Sequence, residues 1–544
     1  MRSPCNSAFR TQRWGREMQE LLLREASEFR AEAARFLAGA IDEERFRSYR
    51  LRRGIYGQRQ AGVQMVRIRI PGGRVTGERL LAIAEAAERF GHGYGHITTR
   101  QDVQLYYVPL ERVADTMELL ARAGLTTREA GGNAVRNVTA CPLAGRCPGQ
   151  AFDVRPFCDA VTQRYLRSEA TARLPRKFKI AFSCSRRDCG LGDINDLAAA
   201  AVLRDGTRGF RLRVGGGLGP SPQAAQTLYE FVPAADLGGV FDAVLQVFDR
   251  FTDRTDRHRL RLKFLVRERG LEWFRERVEE RRAASGPADW QVPEPLPLPA
   301  GGQVCVAVPQ GNLSAHRFRL LASLAGEYGD ATLCFTLDQN VLVNGVAPAQ
   351  APLLLQHLAA AGFQIEGAGE STDVVTCPGA TTCNVGLTRS MDLGAELARM
   401  LAAERDLLAR QITLRVSGCP HSCGHHHIGN IGLFGGARTL DGEAAPFYQL
   451  LVGGGQYGGE TRFGRPIGAV AARQAPQAVR RIITFYKAER LPRETFLDFV
   501  ERRGIAAFRS ELAAITGQEM EEMLIDWGAQ EKFAVSVGQN ECSA

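Results

Sequence analysis

Nowhere in its 544 residues does the chain approach the run of roughly 20 apolar residues that spans a bilayer, so no transmembrane helix is expected. Basic side chains occur between Met1 and Arg16, but no apolar segment follows them, which excludes the pattern of a secretory signal. A cytoplasmic protein is therefore expected. The chain also lacks a basic stripe with interleaved aromatics and any nucleic-acid-binding signature. Its formal charge of +9, from 69 Lys and Arg against 60 Asp and Glu, then points to an anionic ligand or an acidic protein partner, unless it reflects only an arginine-rich composition. Glycine triplets at 215–217 and 453–455 lack the strand–loop–helix pattern and the lysine of a phosphate loop. They are expected to let backbone pass close to a bulky group. No nicotinamide or flavin fingerprint is present. What remains is a globular composition, 44% hydrophobic and 24% charged, on a chain long enough for two to four domains.

Cysteine, by contrast, is plentiful. Thirteen in a chain expected to be cytoplasmic argue for metal or redox chemistry over a disulfide framework. Eight of them form four close pairs at matching places, because the chain is written twice. Val66-Arg67-Ile68-Arg69-Ile70-Pro71 reads against Val304-Cys305-Val306-Ala307-Val308-Pro309 at an offset of 238 (304 − 66). The same offset pairs Gly73 with Gly311, Arg79 with Arg317, Gln101 with Gln339, and Val214 to Gly217 with Val452 to Gly455. Repeats at this spacing mark a duplicated architecture.

In each copy an alternating strand (66–71) precedes a helix with apolar Leu80, Ile83, Ala84 and Ala87 at helical spacing, then a strand at 103–108 and a helix at about 111–123 ending at Gly124. This is a ferredoxin-like half-motif. The expected fold class is α+β: two ferredoxin-like halves and two mixed α/β domains related by pseudo-twofold symmetry. The expected boundaries are an N-terminal helical extension at 1–60, half-domain copies at 61–130 and 303–368, α/β domains at 131–292 and 369–510, and a tail at 511–544. Pro293, Pro295, Pro297 and Pro299 mark a stiff linker at 293–302.

In the second copy Cys377 and Cys383 stand as Cys-x5-Cys, and Cys419 and Cys423 as Cys-x3-Cys. Four thiolates in two pairs suit a tetrahedral zinc or a [4Fe–4S] cube, or could simply be buried. Structural zinc favours tighter Cys-x2-Cys knuckles, and small residues flank each of these cysteines, as a bulky cofactor would require.

The pattern Thr376-Cys377-Pro378-Gly379 to Cys383, then Ser417-Gly418-Cys419-Pro420 to Cys423, resembles the signature of the sirohaem and [4Fe–4S] sulfite and nitrite reductases. The resemblance spans roughly 50 to 510 and includes the duplication. It implies a cluster on these four cysteines, with Cys423 shared by the sirohaem iron. It implies anion-binding segments at Ile97 to Gln101, Val135 to Val138 and Leu174 to Lys179, with Arg100, Arg136, Lys177 and Lys179 holding substrate and Arg176 meeting the macrocycle's carboxylates. Arginine suits this work because it stays charged and grips carboxylates with a planar fork. Gln101, Gln339 and Asn340 are further candidates for cofactor contact. Arg100 aligns with Asp338, so only one copy has specialised for the anion.

Lys at position 179, where plant-type nitrite reductases typically carry Asn, tilts the implied substrate toward sulfite, reduced to sulfide with six electrons. The alternative is a ferredoxin-dependent nitrite reductase making ammonia. A non-catalytic zinc or iron–sulfur protein is the rival of another class. With no flavin or nicotinamide site, electrons must come from another protein, and an acidic ferredoxin suits the positive charge. No inserted ferredoxin domain is evident, which favours an assimilatory role in sulfur metabolism. The first copy carries Cys141 and Cys147, again Cys-x5-Cys, with Cys184 and Cys189 further on. They are either a relic packed in the core or the ligands of a second cluster or metal. His425-His426-His427 is read as a polar wall beside the haem.

Overall fold

The computed structural model describes residues 5–286, 289–295, 298–457, 459–515, 519–536, 538 and 541. Pro297 of the linker lies outside them. Among the described residues, no helix is long and apolar enough to cross a membrane.

The two ferredoxin-like halves are not separate bodies. The first sheet runs in the order Ile55–Gly57, Val63–Ile68, Val103–Pro109, Tyr94–Ile97, and its fifth strand, Asn312–Ser314, comes from the second copy. The second sheet runs Gly302–Val306, Val341–Val346, Thr332–Phe335, and is completed by Arg74–Thr76 of the first copy. Each half thus lends a strand to the other. The helices that follow the lent strands, Gly77–Arg89 and Ala315–Tyr328, are capped alike by Thr76 and Ser314, whose hydroxyls accept from the amides of Arg79 and Arg317 at 3.3 and 3.2 Å. They pack on each other, and apolar residues from both copies form one core. At each crossing a glycine meets the other half's backbone. A Cβ at Gly73 (φ +74°) would lie 2.3 Å from the Phe335 carbonyl, and one at Gly311 (φ +71°) 2.4 Å from that of Ile97.

The N-terminal helices Cys5–Leu37 and Glu43–Arg52 join this core through Ala26, Phe29, Ala33 and Phe46. Phe36 stacks on Phe46 at 4.4 Å, and Glu25 holds Arg167 through two 2.8 Å bonds. Fully burying a phenylalanine stabilises by about 1.5–3 kcal/mol, so the helical extension is an integral part of the fold.

The two α/β domains repeat one sheet. The first has the order Thr139–Ala140, Ile180–Ser183, Leu197–Arg204, Thr207–Val214, Gln226–Pro233, and the second Val375–Thr376, Leu414–Ser417, Ile431–Leu440, Glu443–Val452, Arg465–Ala471. In both, the first three strands run parallel and the last two join antiparallel. Each has its own core. The inner strands are near-continuous apolar runs buried on both faces, as in Ile180–Ser183 and the first half of Leu197–Arg204, while the outer Thr207–Val214 and Gln226–Pro233 mix buried with more exposed positions.

Candidate functional site

All eight paired cysteines sit just past the carboxyl ends of adjacent parallel strands, where an open α/β sheet leaves a crevice for ligands. Cys141 follows Thr139–Ala140 and Cys184 follows Ile180–Ser183; Cys377 follows Val375–Thr376 and Cys419 follows Leu414–Ser417. The loops repeat down to single bonds. The amides of Cys141 and Cys377 donate to the carbonyls of Phe182 and Val416, at 2.9 and 3.3 Å. Those of Gly190 and Gly424 donate to the hydroxyls of Ser183 and Ser417, at 2.9 and 3.1 Å. Left-handed Asp188 and Leu191 match left-handed Ser422 and His425.

The glycine triplets serve these loops. A Cβ on Gly216 would lie 2.2 Å from the Asp193 carbonyl, and one on Gly454 2.5 Å from that of Gly429. The close approach that Gly216 and Gly454 admit here is to the protein's own backbone.

In the second copy Cys377 and Cys419 are buried, Cys383 is half-buried and Cys423 is exposed. Burial pushes the Cys419 thiol up, and the thiols of Cys423, Cys377 and Cys383 add to the shift, so the four act on one another electrostatically. The sulfur of Cys377 accepts from the Gly418 amide at 3.2 Å. One thiol of the quartet thus opens outward while the others are enclosed or half-enclosed, as a cluster that shares a ligand with a neighbouring iron requires.

The expected cations come from the first copy and converge on this loop. The Thr99 hydroxyl donates to the Cys423 carbonyl at 2.9 Å, which places the Arg100 turn against the fourth cysteine. Arg100 donates to the Asn195 side chain at 2.7 Å and to the Asn137 carbonyl. Burial lowers its guanidinium to about 10, which leaves it charged at neutral pH. Arg136 is buried and donates to the carbonyls of Ala130 and Gly132, at 2.8 and 3.0 Å. Lys179 lies among Arg100, Arg261 and Lys177, and burial together with those charges holds it well below the ordinary lysine value. Arg176 and Lys177 are half-buried and flank His421, in the loop between Cys419 and Cys423.

Sequence reasoning missed three members of this cluster and did not separate a fourth, His425, from its neighbours. Arg69 is buried and donates to the carbonyls of Val135 and Arg136 at 3.1 and 2.9 Å. Arg261 grips Asp196 with two bonds, of 3.0 and 2.8 Å. Arg415 pairs with Asp338 at 2.5 Å, leaving its Nε and one terminal nitrogen buried without a partner. His425 is neutral, its value lowered well below the ordinary one by burial and by Arg415, Lys179 and Arg100. A signal existed for Arg415, a lone charge within an apolar strand, whereas Arg69 alternates with Arg67 and was not distinguished from it. His425 was grouped with its neighbours, yet His426 and His427 bond each other at 3.1 Å and His427 meets the Gly219 carbonyl at 2.9 Å.

Gln101, Gln339 and Asn340 are placed differently from expectation. The Gln101 amide donates to the Phe335 carbonyl at 2.9 Å and accepts from the Ala140 amide at 2.9 Å; Gln339 mirrors it with the Ile97 carbonyl at 3.0 Å and the Thr376 amide at 2.9 Å. Asn340 accepts from the Val308 amide and donates to Asp373. All three are buried with their amides committed within the protein: Gln101 and Gln339 pin the two halves together, while both partners of Asn340 lie in the second copy.

A polyanionic tetrapyrrole fits this arrangement. Arg69 and Arg136 donate to backbone carbonyls, Arg100 to a carbonyl and an amide oxygen, and Lys263 to the carbonyls of Leu218 and Ser221. Neutral acceptors do not cancel buried charge, whose uncompensated burial costs several kcal/mol per ion. A group carrying many carboxylates supplies what is missing.

Comparison with known proteins agrees with this geometry. A family model described as the nitrite and sulphite reductase 4Fe-4S domain matches residues 131–285 and 368–520, and one for the nitrite/sulfite reductase ferredoxin-like half domain matches 56–123 and 299–361. The chain is 33% identical to a ferredoxin–nitrite reductase of Synechococcus elongatus, over 77% of this chain and 85% of that protein. It is 30% identical to a ferredoxin sulfite reductase of Mycobacterium tuberculosis, over 80% and 82% respectively. Its fold is similar to the solved structure of the Mycobacterium tuberculosis NirA protein, with a TM-score of 0.78 and 27% identity over 86% of this chain and 92% of that one.

Proposed function

The chain belongs to the nitrite and sulphite reductase family, with its [4Fe–4S] cluster and sirohaem, and on that premise we propose that it reduces sulfite to sulfide with six electrons from a ferredoxin. In this reading Cys377, Cys383, Cys419 and Cys423 would hold the cluster, and the exposed Cys423 would be the ligand that couples it to the sirohaem. When bound, the pair supplies an iron to hold the sulfur atom and an adjacent store of electrons. The chain's own part is electrostatic. Arg100 and Arg136 fix permanent positive charge where an oxyanion lies, and Lys177 and Lys179 add charge that can also leave as protons when S–O bonds break. An arriving anion raises Lys179 from its depressed value and so strengthens its hold on the proton it later gives up. Arg176 and the arginines missed in the sequence hold the macrocycle's carboxylates.

The observation that carries this reading is the bond from Thr99 to the Cys423 carbonyl, which joins the anion-binding turn of one copy to the cysteine loop of the other. Two lysines at 177 and 179 favour the dianion sulfite. Nitrite reduction to ammonia is the second reading, favoured by relatives such as the 33% identical nitrite reductase. Purified protein should show the Soret and red bands of sirohaem, and turnover with reduced methyl viologen should give a higher kcat/KM for sulfite than for nitrite. Higher nitrite efficiency would move the assignment to the second reading; a colourless protein would remove both.

A further inference from the structure

The first copy's four cysteines are closer together than the cluster set. Among the described residues, the sulfurs of Cys141, Cys147, Cys184 and Cys189 all lie within 4.8 Å of one another, and those of Cys184 and Cys189 are 3.3 Å apart. No three sulfurs of Cys377, Cys383, Cys419 and Cys423 meet that 4.8 Å measure. We propose that the first copy binds one tetrahedral, thiolate-loving divalent ion, zinc or a single iron, at Cys141, Cys147, Cys184 and Cys189.

The size argument comes from the ligand geometry. Four thiolates at about 2.3 Å from one ion stand about 3.8 Å apart at the corners of a tetrahedron. A cube carries each thiolate on its own iron and spreads the sulfurs wider. The sequence explains why the first set closed up. Cys189 occupies the place of Cys423, but its partner has moved: Ser185 stands where the second copy has Cys419, and Cys184 where it has Gly418. That one-residue step carries the thiol from the loop toward the sheet, where Cys184 is fully buried. Cys141 is buried beside it, with Cys147 and Cys189 half-buried at the rim. Four protein ligands leave no open position, which is the form of a structural site.

Such an ion would clasp two loops that hold the copies together. Arg146, between Cys141 and Cys147, donates to the carbonyls of Pro299 and Gly301 at 2.9 and 3.2 Å and pairs with Asp330 at 3.2 Å. On the other loop, the Asp188 carbonyl accepts from the Gln456 side chain of the second copy at 2.9 Å. Metal binding at a preformed site is folding free energy, so the ion would stiffen this junction without entering the reaction.

Elemental analysis and X-ray absorption of the full-length protein, purified with its cluster and sirohaem, test the proposal without any substitution. About one zinc, or one iron beyond the cluster and haem iron, should be found per chain, in a shell of four sulfurs at about 2.3 Å. Cys147→Ser and Cys189→Ser, at the rim, should each lower the retained ion at least tenfold, with the cluster and sirohaem bands at full intensity. Cys158→Ser, buried outside the quartet, should keep the ion. Four extra irons with matching inorganic sulfide would overturn the mononuclear site in favour of a second cube. Four titratable thiols, or disulfides between them, in protein without the extra ion would overturn it altogether.

Discussion

In the proposed reading, Arg100 and Lys179 would offer an oxyanion different things. The guanidinium of Arg100 is oriented by Asn195 and Asn137 and stays charged, whereas Lys179 is a movable point charge whose proton is weakly held among Arg100, Arg261 and Lys177. Arg100→Lys should keep the charge but lose the fork. With hydrogen bonds to charged groups contributing about 1.5–3 kcal/mol, kcat/KM for the oxyanion should drop by ten- to a hundredfold, read alongside sirohaem content from the Soret band. Full cofactor with unchanged kinetics would take Arg100 out of the pocket. Lys179→Asn should cost sulfite more than nitrite, shifting the ratio of their kcat/KM values at least tenfold toward nitrite; an unmoved ratio would mean the second lysine does not select the anion. That Arg100 and Lys179 would come together was legible through the short motifs that carry the family resemblance. Arg69, Arg415 and Arg261 fall outside those motifs, and only the fold shows that Arg69 is buried against backbone carbonyls while Arg261 and Arg415 are anchored by Asp196 and Asp338.

At the scale of elements, the exchanged strands depend on a neutral histidine. His96 on Tyr94–Ile97 faces Asn312 of the lent strand; its Nδ1 lies 3.0 Å from the Asn312 Oδ1 and its Nε2 3.2 Å from the Gln339 amide nitrogen. Only the neutral ring serves both, donating to Asn312 and accepting from Gln339. Burial lowers its pKa to about 4. The unfolded chain takes up the proton near pH 6.5, so stability is complete above that value and declines as pH falls from 6.5 toward 4, by about 3 kcal/mol in all. His96→Gln should flatten this part of the urea-midpoint profile against pH, whereas an unchanged slope would place the titration elsewhere. The repeat predicted two copies of one motif, and local periodicity found their helices. The exchange itself was invisible, since pairing Asn312–Ser314 with Tyr94–Ile97 joins residues more than 200 apart and leaves no mark on either segment's pattern. The same exchange explains why Gln101 and Gln339, aligned by the repeat, turned out to face each other's backbone.

Taken whole, the molecule carries a net charge of +9 and exposes Cys423 on the loop that begins at Cys419. Arg176 and Lys177 stand half-buried beside that loop, and Arg186 and Arg187 are exposed on the matching loop of the first copy. An acidic donor would be drawn to such a surface over distances comparable with the Debye length, about 10 Å at 0.1 M salt, and screening beyond that length removes the attraction. Turnover driven by ferredoxin should therefore fall about tenfold or more between 0.05 and 0.5 M salt through kcat/KM for the donor. Turnover driven by reduced methyl viologen, a small donor that needs no docking face, should hardly change. The comparison separates docking from chemistry, because salt that damaged the anion pocket would slow both donors alike. Equal loss with the two donors, or none with ferredoxin, would mean that the charge of +9 does not guide the electron donor.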